Sequence, residues 1–179
     1  MLSHFRLRVS IFLFSFLQIA LRFLIGGVYH WDIHPWNIIL RDWKIYLIDN
    51  WAISETLKIT RNWLFNFFEN LVKYDYKKCA DAILNMSINK INNLDKYNKE
   101  FELLYMDFKW KTVSEISLTK QMMDTIKVAV HNWATFTDDM YPIIKSLMYL
   151  DWMVIKSKPN ADLIKDLEPF IKDFKKFIY

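Results

Sequence analysis

A chain of 179 residues, 53% of them hydrophobic, is long enough to bury a core and too apolar to be disordered. Its net charge of +4 is mild and its lysines are spread along the chain; no platform of aromatic and arginine side chains argues for nucleic acid. The charge, including the cluster Lys172, Lys175 and Lys176, reads as a solvated face, with an anionic membrane surface as the alternative. The single cysteine, Cys79, excludes an internal disulfide and fits a reducing cytoplasm; lying in a helical run, it reads as a structural thiol.

In chain order, residues near 5–25 read as one helix stopped by Gly26-Gly27. The stretch Val9 to Val28 is mostly apolar, but Gln18 and Arg22 interrupt it. It reads as a buried helix of a soluble domain, with membrane contact as the alternative. Residues 28–37 form a polar loop. Two β-type runs follow, Ile38-Ile39-Leu40 and Ile45-Tyr46-Leu47-Ile48, joined by the hairpin-length link Arg41-Asp42-Trp43-Lys44. Helical spacing of apolar residues then runs from Thr56 to Val72, Tyr74 to Met86 and Asn89 to Phe108. Thr112-Val113-Ser114-Glu115 fits a capping box opening a further helix to about His131, and helices over Asp138 to Ile155 and Ala161 to Phe177 complete the chain. No linker or repeat interrupts residues 1–179, so one domain is expected, mainly α with a small β-hairpin.

The polar loop carries the chemistry. His30 is followed two residues on by Asp32, Asn37 lies five residues after Asp32, and Asp49 follows Asn37 by 12 residues across the hairpin. That is the spacing of the protein-kinase catalytic loop and metal motif. There the first Asp positions or deprotonates the attacking hydroxyl, while the Asn and the second Asp hold the metal ions. A hairpin between Asn37 and Asp49 sets their oxygens side by side, as a hard cation requires. Two plainer readings stand beside it. One is a polar loop with ordinary surface carboxylates. The other is a zinc site from His30-x-Asp32-x-His34, which lacks any further His or Cys cluster, since His131 reads as a helix-end residue and His4 as a surface one.

His30 to Asn37, followed by Leu47-Ile48-Asp49, resembles the H-x-D-x-H-P-G-N … L-[IL]-D-F-G signature of the ABC1/UbiB family of atypical kinases. Aminoglycoside- and choline-type phosphotransferases share its first part. Leu64 to Met86 and Tyr141 to Pro169, with Ile143-Ile144-Lys145 and Leu150-Asp151-Trp152, resemble the later helices of ABC1/UbiB, so the likeness spans about residues 14 to 172. It implies a protein-kinase-like C-lobe lacking the N-lobe, with the catalytic loop and metal motif at 28–51 and a helical region at 55–179. It implies Asp32 as the catalytic-loop residue, Asn37 and Asp49 as metal ligands, and His30, His34 and Pro35 as loop-shaping residues. The cofactors implied are Mg²⁺ and ATP. The function implied is phosphoryl transfer or ATP hydrolysis, with a family role in isoprenoid-quinone (ubiquinone) biosynthesis, often at membranes. The alternatives are a small-molecule phosphotransferase and a non-catalytic pseudokinase remnant or binding lobe. No lysine precedes Lys44 and no Gly-rich phosphate loop is present, so an N-lobe encoded upstream is an expected partner and nucleotide affinity of this chain alone is expected to be weak. Asn50 stands where D-F-G has Phe, and Trp36 and Trp51 stand where the family has Gly.

Glycine occurs twice and tryptophan eight times, against an average glycine share of roughly 7%. Replacing Trp31, Trp36, Trp43, Trp51, Trp63, Trp110, Trp133 and Trp152 by Gly turns the loop into H-G-D-I-H-P-G-N and the hairpin link into R-D-G-K, a strong turn signal. This is the pattern of a UGA codon read as glycine in the source and translated as tryptophan. UGG at the eight positions ends the idea, leaving eight genuine tryptophans, with Trp36 and Trp51 expected to crowd the metal site.

Overall fold

In the computed structural model, residues 26–42, 44–108, 115–157, 168, 169, 171, 172 and 175 are described. The expected helix near 5–25, Trp43, Trp110, the Thr112–Ser114 part of the capping box and most of Ala161 to Phe177 lie outside them.

Two small antiparallel sheets stand at the N-terminal end of the described chain. Strand β1 (Val28–His30) pairs with β4 (Ile53–Glu55) in the register Val28↔Glu55, Tyr29↔Ser54, His30↔Ile53. Strands β2 (Ile38–Arg41) and β3 (Lys44–Leu47) form the expected hairpin, Ile38 opposite Leu47 and Arg41 opposite Lys44. Asp42 opens its link at φ 49, the left-handed backbone that tight hairpin turns use. Short 3₁₀ turns follow the loop (Pro35–Asn37) and the hairpin (Asn50–Ala52). The stretch 28–37, expected to be a polar loop throughout, thus begins as a strand and ends as a 3₁₀ turn. A three-residue strand is too short to show a period, and its partner arrives only after the hairpin.

Among the described residues, the helices α1 (Lys58–Val72), α2 (Tyr76–Asn85), α3 (Leu94–Tyr105), α4 (Leu118–His131) and α5 (Met140–Ser157) follow. Helix α1 buries Leu64, Phe65, Phe67, Phe68 and Leu71, one stripe at helical spacing. Against it α2 lays Cys79, Ala80, Ala82 and Ile83, whose mostly small side chains bring the two backbones close. The Cys79 Sγ approaches the Phe67 carbonyl at 3.5 Å. Burial pushes this thiol up to about 12, which makes it a packing group and a poor nucleophile. Side chains start the later helices: Asp75 accepts from Lys78 N–H at 3.1 Å, Asn93 from Lys96 N–H at 2.9 Å, and Ser117 from Lys120 N–H at 3.1 Å. Helix α4 therefore opens at Leu118, with Glu115 before the cap. The Ser117 hydroxyl also donates to buried Asp151 at 2.6 Å, tying the start of α4 to α5.

A ladder of rings on α3 fills the centre. Tyr97, Phe101 and Tyr105 recur every four residues and are all buried. Among the described residues no helix is long and apolar enough to cross a membrane. The C-terminal lysines are paired: Lys172 with Glu168 at 2.7 Å, and Lys175 with Glu69 of α1 at 2.8 Å.

The end of α4 bears on the tryptophan question. Ala134 N–H reaches the Ala129 carbonyl at 3.0 Å and Trp133 N–H the Val130 carbonyl at 2.9 Å, the two bonds of a Schellman ending. Trp133 occupies its left-handed position at φ 72 with 73% of its surface exposed. Tyr74 holds the same place after α1 at φ 57. Left-handed backbone costs an L-residue roughly 1–2 kcal/mol, and the exposed indole returns little burial. Trp133→Gly is expected to stabilise the protein by about 1 kcal/mol net of glycine's greater unfolded freedom, raising Tm by roughly 2–4 °C; a lowered Tm would count against it. Trp36 and Trp51 do not adopt positive φ. Contrary to expectation they point to solvent, 86% and 94% exposed, and crowd nothing.

Candidate functional site

The loop between β1 and β2 is stitched to the end of the hairpin by one imidazole. His30 is buried, and its Nε2 lies 3.2 Å from the Ile48 carbonyl and 3.1 Å from that of Asp49. Its Nδ1 accepts from the Asp32 N–H at 3.3 Å. Two carbonyls at one nitrogen and an N–H at the other place the ring proton on Nε2. Both nitrogens are thus committed to the backbone. The same fact removes it as a zinc ligand. Among the described residues no group of three or more His, Cys, Asp or Glu side chains is placed to hold a metal ion, so the His30-x-Asp32-x-His34 alternative has no ligand set.

Asn37 makes the second stitch. It is buried at the end of the 3₁₀ turn that Pro35 starts, and its Nδ2 donates to the Asp32 carbonyl at 3.0 Å. The same carbonyl takes the His34 N–H at 2.8 Å. Ile48 N–H donates to the Asn37 carbonyl at 3.0 Å, extending the hairpin ladder by one bond and setting Asp49 just beyond Asn37. Asp49 itself is exposed, with φ 70 and ψ 65. Its left-handed backbone turns the chain out of β3 into the Asn50–Ala52 turn, and Ala52 N–H closes on the Asp49 carbonyl at 3.1 Å.

These bonds dispose the oxygens unequally. An amide offers a cation only its oxygen, so Asn37 would do so through Oδ1. The Asp49 carboxylate has no hydrogen bond or ion pair among the described residues. An amide and a carboxylate oxygen at the end of one β-ribbon are the hard donors that Mg²⁺ takes, with phosphate oxygens and water completing its shell. By donor type, the Asn37 amide and the Asp49 carboxylate suit such a cation.

The Asp32 carboxylate, expected as catalytic base or positioner, is occupied on both oxygens. Oδ1 lies 2.8 Å from Lys145 Nζ of α5, and Oδ2 lies 3.5 Å from His34 Nε2. The Lys145 ammonium beside it holds this carboxyl below the usual carboxylate range. So paired, Asp32 is a weak proton acceptor and a good orienting group. His34 packs edge-on against Tyr149, with ring centroids 5.7 Å apart. Ser146 Oγ donates to the His30 carbonyl at 3.1 Å, fastening α5 under the loop. Lys145, Ser146 and Tyr149 were not among the site residues expected from sequence. Lys145 and Tyr149 share a helix face by their four-residue spacing, but nothing local says that the face meets Asp32. A separate cleft of about 630 Å³ between the α1–α2 turn and α3 is lined by Tyr74, Tyr76, Asn98 and Phe101 and by none of the expected site residues.

No family model matches the chain, and no solved structure matches it. It is similar to an uncharacterized protein in the hydrogenase 1 5' region of Clostridium pasteurianum, 21% identical over 151 residues that make up 82% of this chain. The chain spans 28% of that relative's length.

Proposed function

We propose that this chain carries the catalytic-loop and metal-binding unit of a phosphotransferase or ATPase of the ABC1/UbiB kind, a kinase-like C-lobe acting on Mg²⁺-bound ATP. The observation that carries the reading is the double stitch: one imidazole bonded to the Asp32 N–H and the Asp49 carbonyl, and one carboxamide bonded to the Asp32 carbonyl. Four residues separated in sequence are thereby held as one unit. This matters because phosphoryl transfer asks a protein mainly for position and electrostatics. Asn37 Oδ1 and the Asp49 carboxylate would hold Mg²⁺, which when bound neutralises phosphate charge. Asp32 orients the attacking hydroxyl or water. His30 and Pro35 keep the loop in shape. The family's link to isoprenoid-quinone metabolism and its contact with membranes belong to this proposal as well.

The test is a thermal melt with Mg²⁺ and ATP. At ten times Kd, bound ligand adds about 1.4 kcal/mol, roughly 3–6 °C in Tm. Asp49→Asn keeps the shape and removes the charge, and is expected to abolish the shift. An Asp49→Asn protein that shifts as far as the wild type would end the metal assignment.

A further inference from the structure

Lys145 stands where the fold alone gives little reason for a lysine. Its Nζ is 2.8 Å from Asp32 Oδ1, 4.6 Å from the Trp31 ring centroid and 5.8 Å from that of Tyr149. The carboxylate and the rings thus hold the charge from beneath, and the side chain keeps 42% of its surface open. An ammonium has three donors. One goes to Asp32, and no other protein oxygen among the described residues takes the rest. An ion pair this exposed adds little to stability. The α5 backbone there is nonetheless fixed to the same loop, because the neighbouring Ser146 hydroxyl donates to the His30 carbonyl, two residues from Asp32.

We propose that Lys145 is the cation of the phosphate site, sharing its ammonium between Asp32 and the terminal phosphate oxygens of a metal-bound polyphosphate. This rests on the reading that Asn37 and Asp49 hold the metal. A compact, freely rotating ammonium suits a phosphoryl group whose oxygens move, where a planar fork would fix one geometry. Pairing with Asp32 keeps the cation in place before the phosphate arrives. The Trp31 face favours a positive charge without competing as a hydrogen-bond acceptor.

The test is calorimetric titration of the full chain, first with Mn²⁺ alone, then with Mg²⁺ and inorganic tripolyphosphate. Lys145→Gln is expected to weaken tripolyphosphate binding by about tenfold or more and to leave Mn²⁺ affinity unchanged, while Lys145→Arg, which keeps the charge but not the freely rotating ammonium, recovers only part of the loss. Asp49→Asn is expected to lose both ligands. Wild-type tripolyphosphate affinity in Lys145→Gln, with loss in Asp49→Asn, overturns the lysine's role and leaves the metal reading standing. Loss of Mn²⁺ binding in Lys145→Gln also overturns it, because the lysine then only holds the loop's shape. A wild-type chain that binds neither probe, or Asp49→Asn that binds both, overturns the two together.

Discussion

His30→Ala is expected to destabilise the protein by about 2–4 kcal/mol and to abolish metal–polyphosphate binding. The imidazole is buried and serves two carbonyls and one N–H. Alanine leaves all three without the ring. An unsatisfied buried polar group costs about 1–3 kcal/mol, and water entering the gap recovers part of that. The binding loss follows from geometry. Asp49 is fixed to the loop through its carbonyl on this ring, so removing the ring lets the Asp49 backbone turn away while the Ile48 N–H still ties β3 to Asn37. His30→Gln tests the point more finely. Its amide offers one donor where Nε2 was, and is expected to recover about half of the stability. Urea unfolding with an unchanged m-value is the measurement. A His30→Ala protein with the wild-type midpoint would mean that the ring couples nothing.

The grouping of the loop residues was visible in sequence because it is local, whereas the bonds from His30 to the Ile48 and Asp49 carbonyls, 18 and 19 residues on, were not. A His, an Asp two residues on and an Asn five further lie within one loop, and their spacing alone constrains how they can meet. The hairpin was equally readable. Ile38–Leu40 and Ile45–Ile48 are β-branched runs separated by a link that only a tight turn can use. What escaped was non-local. Strand β1 finds β4 across the whole hairpin, and a three-residue strand carries no periodic signal. Lys145 reaches Asp32 from another helix, and its helical face gave no direction in space. The start of α4 was misplaced for a different reason. The cap is Ser117, whose hydroxyl also bonds Asp151, a partner far along the chain that no local pattern announces. The expectation that Trp36 and Trp51 would crowd the metal site failed because it considered residue size without direction. Both indoles leave the turns on the solvent side. Trp133 is different, because there the backbone itself asks for glycine.

The largest loss of stability is expected at Phe101, through the ring ladder of α3. Phe101 stacks on Tyr105 with centroids 4.8 Å apart and planes 14° from parallel, and lies 5.9 Å from Tyr97. The tyrosines on either side carry the ladder outward. Tyr97 Oη donates to the Ala80 carbonyl of α2 at 3.2 Å, and Tyr105 Oη meets Thr125 Oγ1 of α4 at 2.8 Å. Phe101 therefore sets the spacing between α2 and α4 while making no polar bond itself. Phe101→Ala removes the ring from a site that is 1% exposed, and with it the face stacked on Tyr105 and the tilted contact with Tyr97. The usual cost is about 3–5 kcal/mol, a large part of the 5–15 kcal/mol that holds a typical domain. Because Phe101 also lines the cleft beside the α1–α2 turn, water has a way into the gap, which places the loss nearer the lower end of that range. Phe101→Leu keeps most of the volume and is expected to cost roughly half as much. The proposed metal ligands, Asn37 and Asp49, flank the β2–β3 hairpin, to which Phe101 does not belong. At temperatures where Phe101→Ala is still folded, its Mn²⁺ affinity should match the wild type. A midpoint change in urea worth less than about 1 kcal/mol would show that the ladder is not what sets the helix spacing.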